Sequence, residues 1–160
     1  MFAFPGLLLA ILAVSLFGPN LVAAAIALSI AYTPYVARIV RSAALRERSL
    51  PYVAALQVQG LRSSRIVLRH IFPNLGGLIV AASALSFGYA LIDLASLSFI
   101  GLGVQPPQPD WGLMVANGVT GILQGFPQES IFAAVLIVIT VGAVNFLGDR
   151  LTELAESRAV

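Results

Sequence analysis

The chain contains no cysteine, which excludes disulfides, thiol nucleophiles and cysteine-based metal sites. Charge is scarce too. Only 10% of residues are Asp, Glu, Lys or Arg, against roughly 25% in a soluble domain. Residues 1–37 carry no charge at all, so they lack the basic stretch that opens a secretory signal, and none is expected. The single histidine, His70, has no partner at metal-ligand spacing. There is no glycine-rich phosphate loop, no Ser/His/Asp set and no pair of carboxylates. No catalytic residue, bound metal or bound cofactor is therefore expected, and nothing here would hydrolyse ATP by itself.

What the chain has in quantity is hydrocarbon. Of its 160 residues 59% are hydrophobic, and the mean hydropathy is +0.94. That leaves too little polar surface to cover a soluble core. The chain reads as an all-α, polytopic membrane helix bundle forming one domain over residues 1–160. The first apolar run, 1–17, is broken at Pro5 and closed by Gly18-Pro19-Asn20. From Pro5 it would reach about 20 Å as a helix, short of the roughly 30 Å hydrocarbon core. It is read as a partial span, with the chain beginning inside a span through N-terminal truncation; a short interfacial helix is the alternative. The second span is placed at about 21–45, and Pro34 inside it is expected to kink it or shift its end. The third run is uncharged for 22 residues from Ile71 to Ile92 and passes Asp93, giving a span over 71–100. Residues 101–129 read as an outer loop. Its stretch Gln105-Pro106-Pro107-Gln108-Pro109-Asp110-Trp111-Gly112 is incompatible with regular helix, and 113–128 could form a short helix at the interface. The last span is 130–148, followed by a charged, helix-compatible tail.

All nine basic residues are arginine, and seven of them lie in 38–74 together with His70. The other two, Arg150 and Arg158, are in the tail. If the three long runs each cross once, both arginine-bearing segments fall on one side. That places residues 38–70 and the tail in the cytoplasm, beneath the inner membrane of a prokaryote. Within this segment Ser49 is expected to cap a short helix with Pro51 in its first turn. Tyr52, Ala55, Leu56 and Gln59 would form its apolar stripe. Gly60 would end it, and Ser63 or Ser64 would start a second helix. Arg62, Arg65 and Arg69 would share one face, with Ile66, Val67 and Ile71 turned towards the membrane and Pro73 breaking the helix. Two readings stand side by side: a solvated basic loop that sets topology and meets anionic lipid headgroups, or a docking knob for a cytoplasmic partner.

A family resemblance rests on these same residues. Ala54-Ala55-Leu56, Gly60 after three residues, and His70-Ile71-Phe72-Pro73-Asn74 nine residues later resemble the "EAA" loop of ABC importer membrane subunits. The His-Ile-x-Pro-Asn ending is similar to the dipeptide/oligopeptide/nickel branch. So are Pro5-Gly6-Leu7-Leu8-Leu9-Ala10, Leu97-Ser98-Phe99-Ile100-Gly101-Leu102-Gly103-Val104-Gln105-Pro106-Pro107, Pro109-Asp110-Trp111-Gly112 and Asn145-Phe146-Leu147-Gly148-Asp149. The resemblance covers essentially the whole chain. It implies an importer-type transmembrane domain and a non-catalytic permease subunit. The implied partners are ABC ATPase subunits, a second homologous permease, an extracytoplasmic solute-binding protein and the lipid bilayer, with no nucleic acid. ATP and magnesium would be used by the ATPases. Residues 49–73 become the coupling loop, with Ala54, Ala55, Leu56, Gly60, Arg65, His70 and Pro73 as its site residues. The solute would be a peptide, nickel or a glutathione-like compound. The chain departs from the pattern where the signature Glu falls on Ala54 and its second Ala on Leu56. It departs again where the family acid is displaced from Leu94 to Asp93, and where Arg150 and Thr152 replace a common Gly and Arg.

Asp93 is an ionisable group inside a span, where uncompensated charge is costly. It either lines a solute path, faces a partner helix, or sits close to outer water. His70 reads as a structural hydrogen-bonding residue near the headgroups and Trp111 as an interfacial anchor. Two other function classes remain open on the residues alone. One is a proton-driven secondary transporter or channel using Asp93, and the other a non-transporting truncated membrane fragment.

Overall fold

A backbone in hydrocarbon has to satisfy its own N–H and C=O groups, so each long apolar run resolves into helix. The computed structural model describes residues 5–157, with side chains through Glu153. Among the described residues every regular element is helical, as the patterning predicts. Helix α1 spans Gly6–Phe17, α2 Leu21–Arg48, α3 Pro51–Val58 and α4 Ser63–Ile66. A π-turn over Val67–Ile71 leads into the short α5, Phe72–Asn74. Helix α6 spans Gly76–Phe99, α7 Trp111–Leu123 and α8 Gln128–Ser157. By length and composition α2, α6 and α8 can each cross a bilayer, while α1 and α7 are shorter apolar helices.

The chain divides into two compact units. One holds the residues up to Pro34 together with Ser86–Val144; the other holds Tyr35–Leu85 and the chain from Asn145. In the first unit α1 lies on α2 and α6 through Ala10, Val14, Ala24, Leu28 and Leu97, all nearly inaccessible. Ala10 and Ala24 let the backbones approach closely, which is what gains contact where lipid leaves no hydrophobic drive between helices. The outward residues are large and apolar. Ile26, Ile30, Val138 and Ile139 are all exposed, which suits lipid and not water. Several hydroxyls in these helices turn back on their own backbone. Ser29 donates to the Ala25 carbonyl at 2.7 Å, Thr33 to Ser29 at 2.6 Å and Ser96 to Ile92 at 2.8 Å. None of the three needs water or a partner chain.

Several boundaries differ from the sequence reading, each for a local reason. Helix α2 carries Pro34 inside it and runs to Arg48, three residues past the expected end at 45. The run from Ile71 is not one helix. Pro73 cannot donate to the helical ladder, and the chain widens into the π-turn before it and breaks at Leu75 (φ −89°, ψ 0°) after it. Helix α7 begins at Trp111, two residues before the expected stretch, because the Asp110 carboxylate accepts from the Leu113 N–H at 2.9 Å and caps it.

Helix α7 is also packed into its unit rather than lying free. A methyl group at Gly112 would strike the Ala95 carbonyl of α6, and one at Gly118 would strike Ser130 of α8. Ser130 in turn donates to the Val115 carbonyl at 3.1 Å. Two glycines, about 120° apart around the helix, therefore seat α7 against two spans. Gly112→Ala is expected to cost about 1–3 kcal/mol by overpacking, read as a lower unfolding temperature in detergent. Gly142→Ala, where an added methyl meets nothing within 4 Å, should leave that temperature unchanged or raise it slightly.

Candidate functional site

The segment read as the coupling loop folds into a helical elbow within the second unit. Its apolar centre is Ala43, Val53, Ile66, Ile71 and Leu75, flanked by Val40, Ala44, Tyr52, Leu56, Leu61, Leu78 and Ile79. These residues come from the end of α2, from α3, α4 and the π-turn, and from the start of α6. Burying five such side chains stabilises the elbow by roughly 1–3 kcal/mol each.

Polar contacts add a clasp. The Tyr52 hydroxyl donates to Glu47 Oε1 at 2.8 Å, and Asn74 Nδ2 donates to the same oxygen at 3.0 Å. One carboxylate at the end of α2 thus holds α3 and α5 together. Burial, and then the bond to Glu47, push the Tyr52 phenol above its ordinary pKa, so it stays a donor. Sequence reading passed over Glu47. The available signal was its isolation: it is the only acid before Asp93, set between Arg46 and Arg48.

The clasp and the core replace the helix caps expected for this segment. Ser49 does not cap α3. Its hydroxyl donates back to the Arg46 carbonyl at 2.6 Å, and Leu50 takes the cap position with no side-chain bond. Ser63 does start α4, after an uncapped Arg62. The buried face of α3 is carried by Val53, with Tyr52 and Leu56 half-buried, whereas Ala55 and Gln59 are exposed. Helical spacing put the stripe one residue out of phase, because a helix two turns long packs by its ends as much as by its face. On the second helix Ile66 and Ile71, expected to turn towards the membrane together with Val67, are buried in the elbow's own core, while Val67 is exposed: the π-turn shifts the phase after Ile66.

The remaining predicted site residues fall as follows. Ala54 and Ala55 lie exposed on α3, beside Val58, which is 90% exposed. Gly60 has φ +80°, the left-handed conformation, with no atom within 4 Å of an added methyl. Arg65 is exposed and lines an open depression with Arg62, Ser64, Leu68, Arg69 and Pro73. His70 is half-buried in the π-turn, and Pro73 occupies the first turn of α5.

Asp93 belongs to the other unit. Its Oδ2 accepts from the Tyr32 hydroxyl at 2.8 Å, and the Tyr32 and Tyr89 rings stack with centroids 6.5 Å apart and planes 15° from parallel. A methyl group at Gly6 would come within 3.2 Å of the same carboxylate oxygen. The acid inside α6 is thus given a donor by α2 and close backbone by α1, which is how an ionisable group is tolerated in a span. The departures in the tail also have a structural role. The Thr152 hydroxyl lies 2.9 Å from both the Gly77 and the Gly148 carbonyls. Arg150 pairs with exposed Glu153 at 2.7 Å and lies 5.1 Å from the Phe146 ring centre.

Residues 1–160 match the family described as binding-protein-dependent transport system inner membrane component. The chain belongs to that family. Among its relatives, the dipeptide transport system permease protein DppC of Alkalihalophilus pseudofirmus is 36% identical over 158 residues, covering 99% of this chain and 52% of the relative. DppC of Escherichia coli K12 is 37% identical over 162 residues, with the same coverage. The glutathione transport system permease protein GsiD of Pectobacterium atrosepticum is 37% identical over 158 residues, again 99% and 52%. The chain spans about half the length of the curated relatives it matches. A multi-pass inner-membrane protein follows from the family and from the three span-length helices.

Removing the clasp tests its contribution. Glu47→Ala leaves the half-buried Tyr52 hydroxyl and the exposed Asn74 amide without their shared acceptor and should cost about 1–2 kcal/mol, seen as faster amide hydrogen exchange across α3. Tyr52→Phe should cost about 1 kcal/mol, because Asn74 still reaches the carboxylate.

Proposed function

We propose that this chain is a permease subunit of an ATP-driven ABC importer that moves peptides or a related small solute across the inner membrane. The observation that carries this reading is the family match over residues 1–160, which takes in the elbow and the spans on either side of it. The relatives' names favour peptide and glutathione substrates; none of the relatives named above is a nickel permease. The arginine-rich side, with the elbow and the tail, faces the cytoplasm. The outward face of α3, formed by Ala54, Ala55 and Val58, is exposed, small and uncharged, and it seats in a cleft of a separate ATPase. That ATPase uses ATP and magnesium, and a second permease and a solute-binding protein complete the assembly. With Ala54 in place of the signature Glu, docking on this face rests on shape and apolar contact rather than on a charge.

Mechanically, α3 has to pass displacement on without bending. The Val53–Ile66–Ile71 core and the Glu47 clasp give the elbow that stiffness. ATP then acts by population shift, favouring the transporter conformation whose ATPase binds it better. Asp93, with Tyr32 and Tyr89, supplies a polar station on the solute path.

Capture and uptake test the reading. The full-length protein should co-purify with an ATPase. Ala55→Asp should remove that capture, since it puts an unpaired charge into a dry contact. Gly60→Pro, which cannot adopt φ +80°, should cut solute uptake at least about ten-fold while the partner continues to hydrolyse ATP, a loss of about 1.4 kcal/mol in coupling. Unchanged uptake in both variants would overturn the docking role of α3. Uptake that survives ATP depletion and collapses with the proton gradient would overturn the importer reading itself.

A further inference from the structure

The elbow presents two chemically different faces, and the uncharged α3 face accounts for only one of them. The other is an open depression of about 660 Å³ lined by Arg62, Ser64, Arg65, Leu68, Arg69 and Pro73. Its three arginines are all exposed, and among the described residues the one ion pair is Arg150 with Glu153. No carboxylate among the described side chains pairs with this wall. Leu68, in the same wall, is 70% exposed, and Val67 and Phe72 beside it are exposed as well. At Pro73 the depression ends, two residues before the break that precedes apolar α6.

Three unpaired guanidinium groups next to exposed leucine, valine and phenylalanine, where the chain turns into a span, match an amphiphile with an anionic head and an apolar tail. An acidic protein surface would use the arginines but leave the apolar residues in water. We infer that this depression is a binding site for an anionic phospholipid. Arg62, Arg65 and Arg69 hold the headgroup phosphate, with the Ser64 hydroxyl as a further donor, and Leu68 and Val67 lie along the acyl chains. Arginine suits the task because its planar fork can present two N–H groups to one phosphate. The site does not depend on the transport reading. It adds a lipid contact on the element that couples, so membrane composition would bear on the elbow directly.

The test uses the full-length protein reconstituted in phosphatidylcholine vesicles with spin-labelled phosphatidylglycerol, and reads the immobilised fraction relative to labelled phosphatidylcholine. The intact protein should prefer phosphatidylglycerol, and raising the salt should weaken that preference by screening. Replacing Arg62, Arg65 and Arg69 together by Ala should lower the affinity on the order of a hundred-fold, roughly five-fold per arginine. Arg150→Ala should leave it within two-fold (about 0.4 kcal/mol). Soluble glycerol phosphate, which has no acyl chains, should not displace the labelled lipid. A preference insensitive to salt would overturn the proposal even if the triple variant fails to fold, and so would displacement by glycerol phosphate. A triple variant that keeps the lipid preference but loses ATPase capture would overturn it in favour of a protein contact.

Discussion

The geometry of the elbow depends on one carboxylate. Glu47 stands alone among arginines and takes hydrogen bonds from two separate elements on a single oxygen. Without it, α3 would be held to α2 mainly through Val53 and its neighbours, and an apolar contact alone leaves a two-turn helix free to roll. Hydrogen bonds fix direction where hydrophobic burial fixes only proximity. The cluster beneath supplies most of the free energy and the clasp supplies the orientation. A helix proposed to act as a lever needs both.

The other unit solves a different problem by different means. There is little water in a bilayer to reward burial, so close contact between backbones and self-satisfied polar groups do the work. Gly112 and Gly118 let α7 sit directly on α6 and α8, and the hydroxyls of Ser29, Thr33 and Ser96 return to carbonyls four residues back. Asp93 is the exception. It is a charge-capable group supplied with a tyrosine donor from another helix.

Much of this was legible from residue order. The apolar runs announced the helices, Gly60 announced the left-handed turn, and the EAA-like spacing located the elbow. Other features resisted for physical reasons. The register of α3 depends on which end of a short helix is packed, and local periodicity carries no record of that. The outward turn of Val67 follows from a π-turn, which breaks the 3.6-residue repeat that such reasoning assumes. The clasp joins residues 47, 52 and 74, so it exists only once the chain has doubled back. Glu47 was nevertheless visible as an acid out of place, and an isolated charge of minority sign is a cue that helix-face reasoning overlooks. Ser49 misled in the opposite way: a good capping residue in the right place spent its hydroxyl on the preceding helix.

Gly60 carries a consequence of its own. Open space surrounds the position where a side chain would begin, yet the backbone there is left-handed. The constraint on this residue is therefore one of chirality and not of bulk. A D-amino acid favours the very conformation in which L-alanine is strained, so semisynthesis with D-alanine would keep the turn where the L-residue would not.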